Sequence, residues 1–527
     1  ATVTTKYERK FNSENAAVVD QEHLGGVIGQ CEGSIIDCTN RGTVDQASDP
    51  RTVNAGGICG FVRNAAESGN ANEGEVRIGG AVTLATVGGV YGSFGKAQTV
   101  ADAATTNRGG VTVSGIESIE GAYLRLGGIV GFAYPGTVLS NLTNAGDMTV
   151  DLQSKFSYYA VGGIAGSVEC GASSCVNEGS LRLNNNQLLT KGMCKIFVGG
   201  IVGINYRPTD DGPHIYEDCA NRAEIGFATT DNAFKVLPSF TGGILGYTEH
   251  PVEVRNCEGA AYINVNNANA KENGIFTATG GIVGAVKGTV ALIEKCHVTA
   301  DMRHYQYNNT WDDPLSAANG GGIVGCALGA DEVNRIAITG CSCSGMVESK
   351  RSGAAGIVGY ARFSDISDCG FTGGIEGSGP HFAGGIAGTL ANSTIAGCTV
   401  KAKNIYGHNA SSPSLIGVSG IAAYVVGVSS VSDCKAYATL IRNSTVLGTE
   451  DASVTPDNLF GMGMIVGIDA GTTTVTNCGV GGSFYLGASE KPQELILTLD
   501  ADSYAKGIIG SGKTATVGGC YYWNGEE

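Results

Sequence analysis

The residue types best suited to chemistry fall in two segments. His304-Tyr305-Gln306-Tyr307-Asn308-Asn309-Thr310-Trp311-Asp312-Asp313-Pro314 holds one of only two tryptophans, two tyrosines and adjacent carboxylates. Asn205-Tyr206-Arg207-Pro208-Thr209-Asp210-Asp211-Gly212-Pro213-His214 is a second polar insertion. Aromatic faces beside hydrogen-bonding groups suit sugar rings or peptide side chains. The candidate ligand-binding residues are therefore Tyr305, Tyr307, Trp311, Asp312 and Asp313 in the first segment. In the second they are Tyr206, Asp210, Asp211 and His214. Packing of the aromatics onto the scaffold is the competing role for the longer loop. Asp210-Asp211 and Asp312-Asp313 supply the hard oxygen ligands that calcium takes, although adjacent acids in polar loops are usually only solvated. No other cofactor or metal is indicated.

Motifs for catalysis are missing from the sequence. It contains no H-E-x-x-H, no G-x-S-x-G elbow and no P-loop ending in Lys-Ser/Thr. The seven histidines are scattered, and His297 takes the outward phase of its strand. Seventeen cysteines lack the C-x-x-C pairs from which zinc sites are built. Cys170 and Cys175 form the close pair best placed for a local bridge.

The elements that must hold these loops are announced by a repeat. A Gly-Gly-Ile-x-Gly pentad starts, with degenerate copies, at 25, 56, 88, 127, 162, 199, 242, 280, 321, 355, 384, 419, 463 and 506, an average step of 37 residues. A period of that size marks a stacked architecture. Each unit continues as [Ile/Val]-x-x-Cys-x-Asn-x-Gly-x-Val, as in Ile35, Cys38, Asn40, Gly42 and Val44. Alternation from the Cys onward is the period-two signal of a strand with one buried face.

Two columns follow from this alignment. Cysteine recurs as Cys175, Cys219, Cys257, Cys296, Cys341, Cys369, Cys398, Cys434, Cys478 and Cys520. Asparagine recurs as Asn40, Asn72, Asn107, Asn144, Asn177 and Asn221. Identical residues at identical frame positions are what parallel, in-register coils produce, and Asn side chains so placed hydrogen-bond along the stack. The thiols read as free, buried fillers, because side chains of parallel strands point the same way and strain a bridge. The two leading glycines of the pentad predict a tight corner or a positive φ.

The expected fold is all-β: a parallel β-solenoid of about 14 coils with irregular loop insertions. A pair of seven-bladed propellers is disfavoured, because the arc from the Cys position to the next pentad shrinks to 14 and 15 residues in units nine and ten. A blade cannot lose that much and keep four strands. Residues 1–23 are read as an N-terminal cap or the end of a preceding domain. Residues 24–527 are read as one solenoid domain, with Tyr521, Tyr522 and Trp523 capping its last coil. The long loop beside two trimmed coils predicts a recess, walled by the 304–314 segment and by residues 404–414.

The alternation of Gly-Gly-Ile-Val-Gly with Asp37-Cys38-Thr39-Asn40-Arg41-Gly42-Thr43-Val44 resembles the GLUG-motif repeats of bacterial surface and secreted proteins. Val254-Arg255-Asn256-Cys257 and Ile293-Glu294-Lys295-Cys296 carry the same likeness, which runs from about residue 24 to the C-terminus. The units at 419 and 506 depart from it. Such repeats look like those of adhesin-like proteins and gut Bacteroidetes surface lipoproteins. The resemblance implies an extracellular or outer-surface location and brings no catalytic residues.

A formal charge of −16 argues against nucleic acid and anionic membrane surfaces as partners. No apolar stretch approaches the length of a transmembrane segment. The chain opens Ala1-Thr2-Val3 without a signal-like segment, the start expected of a mature or trimmed product. The expected function is a non-enzymatic surface protein that presents loops to a host or bacterial glycan or protein. Two alternatives are a carbohydrate-active β-helix enzyme (a polysaccharide lyase or glycoside hydrolase) and an accessory lipoprotein of an outer-membrane nutrient-uptake complex.

Overall fold

The computed structural model describes the chain apart from residues 1–2, 6–20, 47–51, 64–66, 96–103, 152–155, 186–194, 206–211, 230–238, 268–276, 307–317, 351–352, 377–381, 409–415, 444–458, 460, 488–493, 513–514 and 527. Its strands stack in parallel and in register, coil on coil, as a parallel β-solenoid. The coils form two compact units, residues 1–252 with 257–269 and residues 253–256 with 270–527. Seven pentads lie in each.

In the first unit the strand that starts at the fourth residue of each pentad builds one sheet, in the order Ile28–Cys31, Cys59–Arg63, Tyr91–Gly95, Val130–Ala133, Ala165–Val168, Val202–Asn205 and Leu245–Thr248. A second sheet takes the short strands after the Cys position, where Asn40 pairs with Asn72, Asn72 with Asn107, and so on to Asn221. It continues through the strands that lead into the next pentad, so that Gly127, Gly162, Gly199 and Gly242 stack in one column. The second unit repeats this layout with strands Val283–Lys287, Val324–Leu328, Val358–Arg362, Ala387–Ala391, Ala422–Val426, Val466–Asp469 and Ile509–Gly512.

The pentad is a corner, and its glycines are there for space rather than for an unusual φ. None of them has a positive φ. Burying the third-place residue is what the corner achieves: Ile129, Ile164 and Ile201 are wholly inaccessible, as are Ile282, Ile323 and Ile357. Each such side chain is worth about 1.5–3 kcal/mol. A Cβ on Gly128 would lie 2.1 Å from Gly163 O and 2.3 Å from Asn144 Cγ. The second glycine thus gives up its side chain so that the column residue can lie against the corner. In the second unit the same role falls to apolar residues: a Cβ on Gly281 would meet Val298, and one on Gly356 would meet Phe371.

Left-handed backbone occurs instead just before the Cys position. Asp37, Asn141, Ser174, Asp218, Asn256, Lys295, Asp368, Asp433 and Asn477 have φ between 52° and 55°, and Gly69, Gly340, Gly397 and Gly519 take further copies. Short polar residues and glycine tolerate this conformation best. It turns the chain so that the next side chain points inward.

The asparagine column is a continuous ladder. Each Nδ2 donates to the next Oδ1, at 2.8 Å from Asn40 to Asn72, 2.8 Å to Asn107, 2.8 Å to Asn144, 2.9 Å to Asn177 and 2.8 Å to Asn221. The sixteen described cysteines are all free, Cys170 and Cys175 among them; Cys194 lies outside the described residues. Column thiols donate to backbone carbonyls, as Cys219 does to Ala172 at 3.5 Å and to Glu217 at 3.4 Å. Where the first unit lacks the cysteine, Asn70 and Thr105 take its place around a buried carboxylate. Glu67 Oε2 accepts from Thr105 Oγ1 at 2.7 Å and Tyr91 Oη at 2.8 Å.

The ends carry extra strands. Val3–Thr5 pairs in parallel with Val44–Gln46 in the first unit. In the second unit Glu494–Thr498 runs antiparallel to Gly479–Leu486, so a reversed strand takes the place another coil would have filled. Tyr521–Tyr522 adds to the same strand, and Trp523 is buried with its amide bonded to Val480 O at 2.9 Å. Glycines 479 and 481 leave the room that the Tyr521 and Trp523 residues occupy.

Candidate functional site

Among the described residues of the first unit, a groove of about 520 Å³ opens on the outside of the coils whose pentads start at 127, 162 and 199. Its floor belongs to the third, short strand of each coil: Leu139–Ser140, Ala172–Ser173 and His214–Glu217 stack in parallel. Inward residues Leu139, Ala172 and Tyr216 are buried. Tyr216 is anchored by its hydroxyl, which donates to Cys170 O at 3.3 Å.

One residue earlier in the frame stand Val138, Gly171 and Ile215, facing out. Val138 is 50% exposed and Ile215 44%. Between them lies Gly171, where no other residue fits, because the Ile215 backbone takes the place of a Cβ, its carbonyl oxygen only 2.1 Å from that position. Two coil steps of about 4.8 Å separate the apolar walls. Glu169 borders the notch from the preceding corner, and Glu217 lies on the strand beyond it.

The electrostatics of the groove are one-sided. Glu169 has its pKa raised by burial, with the Arg125 guanidinium pulling the other way. Burial pushes the Cys170 thiol up to about 12, so it is protonated at neutral pH. His214 is held down to about 4, first by burial and then by the neighbouring His250, whose ring lies 4.3 Å away. Its Nδ1 pairs with Asn205 Oδ1 at 2.8 Å. The groove therefore holds an imidazole that is neutral at pH 7 and a thiol that keeps its proton, and neither is an activated nucleophile.

Two of the nine sequence-derived candidates lie among the described residues, His214 and Tyr305. His214 lines the groove. Tyr305, in the second unit, is half-buried; its hydroxyl donates to Glu348, and the Arg303 guanidinium sits 5.1 Å above its ring while bonding Glu348 at 2.7 Å. Its ring is thereby committed to a surface cluster. Tyr206, Asp210, Asp211, Tyr307, Trp311, Asp312 and Asp313 lie outside the described residues, as do most of the 304–314 and 404–414 segments expected to wall a recess. Among the described residues no group of His, Cys, Asp or Glu could hold a metal ion, and no helix is long and apolar enough to cross a membrane.

Glu169, Gly171, Ile215 and Glu217 went unrecognised in the sequence. The available signal is Ile215 itself: in Ile215-Tyr216-Glu217-Asp218-Cys219 the inward place belongs to Tyr216, so an isoleucine is left facing water. Comparison with protein-family models, with curated proteins and with solved structures finds no match.

Proposed function

We propose that this protein is a non-enzymatic binding scaffold of the extracellular or outer-surface kind, a solenoid that presents the groove over Gly171 to a glycan or protein. The observation that carries this reading is the notch itself. Within one groove, Val138 and Ile215 stand exposed on either side of a residue with no side chain. Exposed apolar groups rimmed by carboxylates mark recognition surfaces. The GLUG-like repeats support surface display, and the protonated Cys170 and neutral His214 favour binding over covalent chemistry.

The test is binding of the full chain to a glycan array and to a panel of surface proteins, repeated with Ile215→Asp and Trp311→Ala. Loss of a response in Ile215→Asp alone supports the groove. A response that survives Ile215→Asp and disappears in Trp311→Ala moves recognition to the 304–314 segment. Cleavage of a bound polysaccharide would instead favour the carbohydrate-active alternative.

A further inference from the structure

Resting on the reading of the groove as a binding site, we infer that its occupant is the aliphatic, positively charged side chain of a lysine or arginine on a protein partner. The stem lies over Gly171 between Val138 and Ile215, and the charged head meets Glu169 or Glu217. Shape, charge and lining each lead there.

The groove brings together two exposed apolar side chains two coil steps apart, the glycine backbone between them and two glutamates, Glu169 and Glu217. An unbranched methylene chain with a cationic tip fits such a slot, because long basic side chains cover apolar surface with their stems while the head stays wet. A carboxylate then takes the ammonium or guanidinium in a charge-assisted hydrogen bond.

Four ionisable side chains line the groove among the described residues. Glu169 and Glu217 are acidic, His214 is uncharged at pH 7, the Cys170 thiol keeps its proton, and among the described residues no lysine or arginine lines the groove. Arg125 acts on Glu169 from outside the lining. Its Nε donates to Tyr158 Oη at 3.0 Å and its guanidinium sits 4.2 Å from the Phe132 ring centroid. The whole chain, at −16, favours approach of a basic partner.

The lining also selects against a neutral sugar. Among the described residues it contains prolines, glycines, small residues, Val138, Ile215 and one imidazole, with no Trp, Tyr or Phe to stack on a pyranose ring. A polypeptide is therefore the favoured source of the cation.

Fluorescence anisotropy with the full chain tests this. The probes are a fluorescein-labelled pentapeptide with a central lysine among alanines and the same peptide acetylated on the lysine Nζ. The lysine peptide should bind at least about tenfold more tightly, a difference near 1.4 kcal/mol. High salt should weaken it. Glu169→Gln and Glu217→Gln should each weaken it about five- to tenfold, and the double change should abolish it. Ile215→Ser should weaken both peptides and leave the salt dependence intact. Circular dichroism confirms that each exposed-site variant folds. Equal binding of the two peptides overturns the inference, as does a lysine response that the double change leaves untouched. A glycan response lost in Ile215→Ser, with silence toward the lysine peptide, overturns this inference alone. A groove that answers neither probe overturns the scaffold reading with it.

Discussion

Replacing Asn107 with valine isolates what the amide ladder contributes. Asn107 is wholly buried; its Nδ2 donates to Asn144 Oδ1 at 2.8 Å and Gly109 O at 2.9 Å, and its Oδ1 accepts from Asn72 at 2.8 Å. Valine fits the space, since Val298 and Val400 lie against Gly281 and Gly385 as Asn107 lies against Gly89. The cost is thus polar rather than steric. Three hydrogen bonds at about 0.5–1.5 kcal/mol each give a loss of roughly 2–4 kcal/mol. Stacked repeats open locally, so native-state hydrogen exchange is the suitable assay. Probe amides are Arg108, which donates to Asn72 O at 2.7 Å, and Ala145, which donates to Asn107 O at 2.7 Å. Their protection should fall by between about thirtyfold and a thousandfold. Changing all six ladder asparagines to valine removes donors and acceptors together, and should cost less than six single changes added. A loss under about 0.5 kcal/mol in Asn107→Val, or strict additivity across the six, would refute a cooperative ladder.

Three further outcomes are expected. Gly128→Ala should lower the thermal midpoint sharply, by an amount matching at least about 3 kcal/mol, whereas Gly370→Ala, whose added Cβ meets nothing within 4 Å, should stay within about 0.5 kcal/mol of the parent. His304 is inaccessible, with Nδ1 paired to Thr279 Oγ1 at 2.7 Å, and burial holds its pKa down to about 4 from 6.5. The unfolded chain takes up this proton first, so the contribution to stability is whole above pH 6.5, declines as pH falls toward 4, and amounts to about 3 kcal/mol once lost. Unfolding midpoints across that window should show the step, and His304→Gln should flatten it. Among the described cysteines, only the partly exposed Cys31, Cys38 and Cys520 should react quickly with a thiol reagent in the native protein. Burial raises Cys59, Cys170 and Cys343 to about 12, so mass mapping after brief alkylation should find them unmodified.

Much of the fold was legible because each coil repeats the same problem. The Asn40-to-Asn221 spacing predicted a ladder, and the amides bond in that order. The cysteine spacing predicted unbridged buried thiols, and the described ones are free. The reason for the glycines was not legible. Composition permits either a positive φ or close packing, and only coordinates show Gly57, Gly89 and Gly128 pressed against Asn72, Asn107 and Asn144. The left-handed turn was visible in principle as Asp, Asn, Ser or Gly before the Cys position. Lys295, at φ 52°, shows why that column is a weak signal: the stack imposes the conformation even on a residue that resists it.

What the chain determined alone was its periodic part: corner, strand, column and parallel register. A residue that recurs at one frame position meets its own copy in the next coil, so contact is encoded by spacing. The groove is different in kind. It arises where corners of unequal length leave Val138 and Ile215 standing on either side of Gly171, with Glu169 and Glu217 nearby. Val138, Gly171 and Ile215 hold one frame position in three coils but are three different residue types, so no recurring residue marks them. The opening above them is set by how the corners fold over the stacked backbone, which no one-dimensional period records.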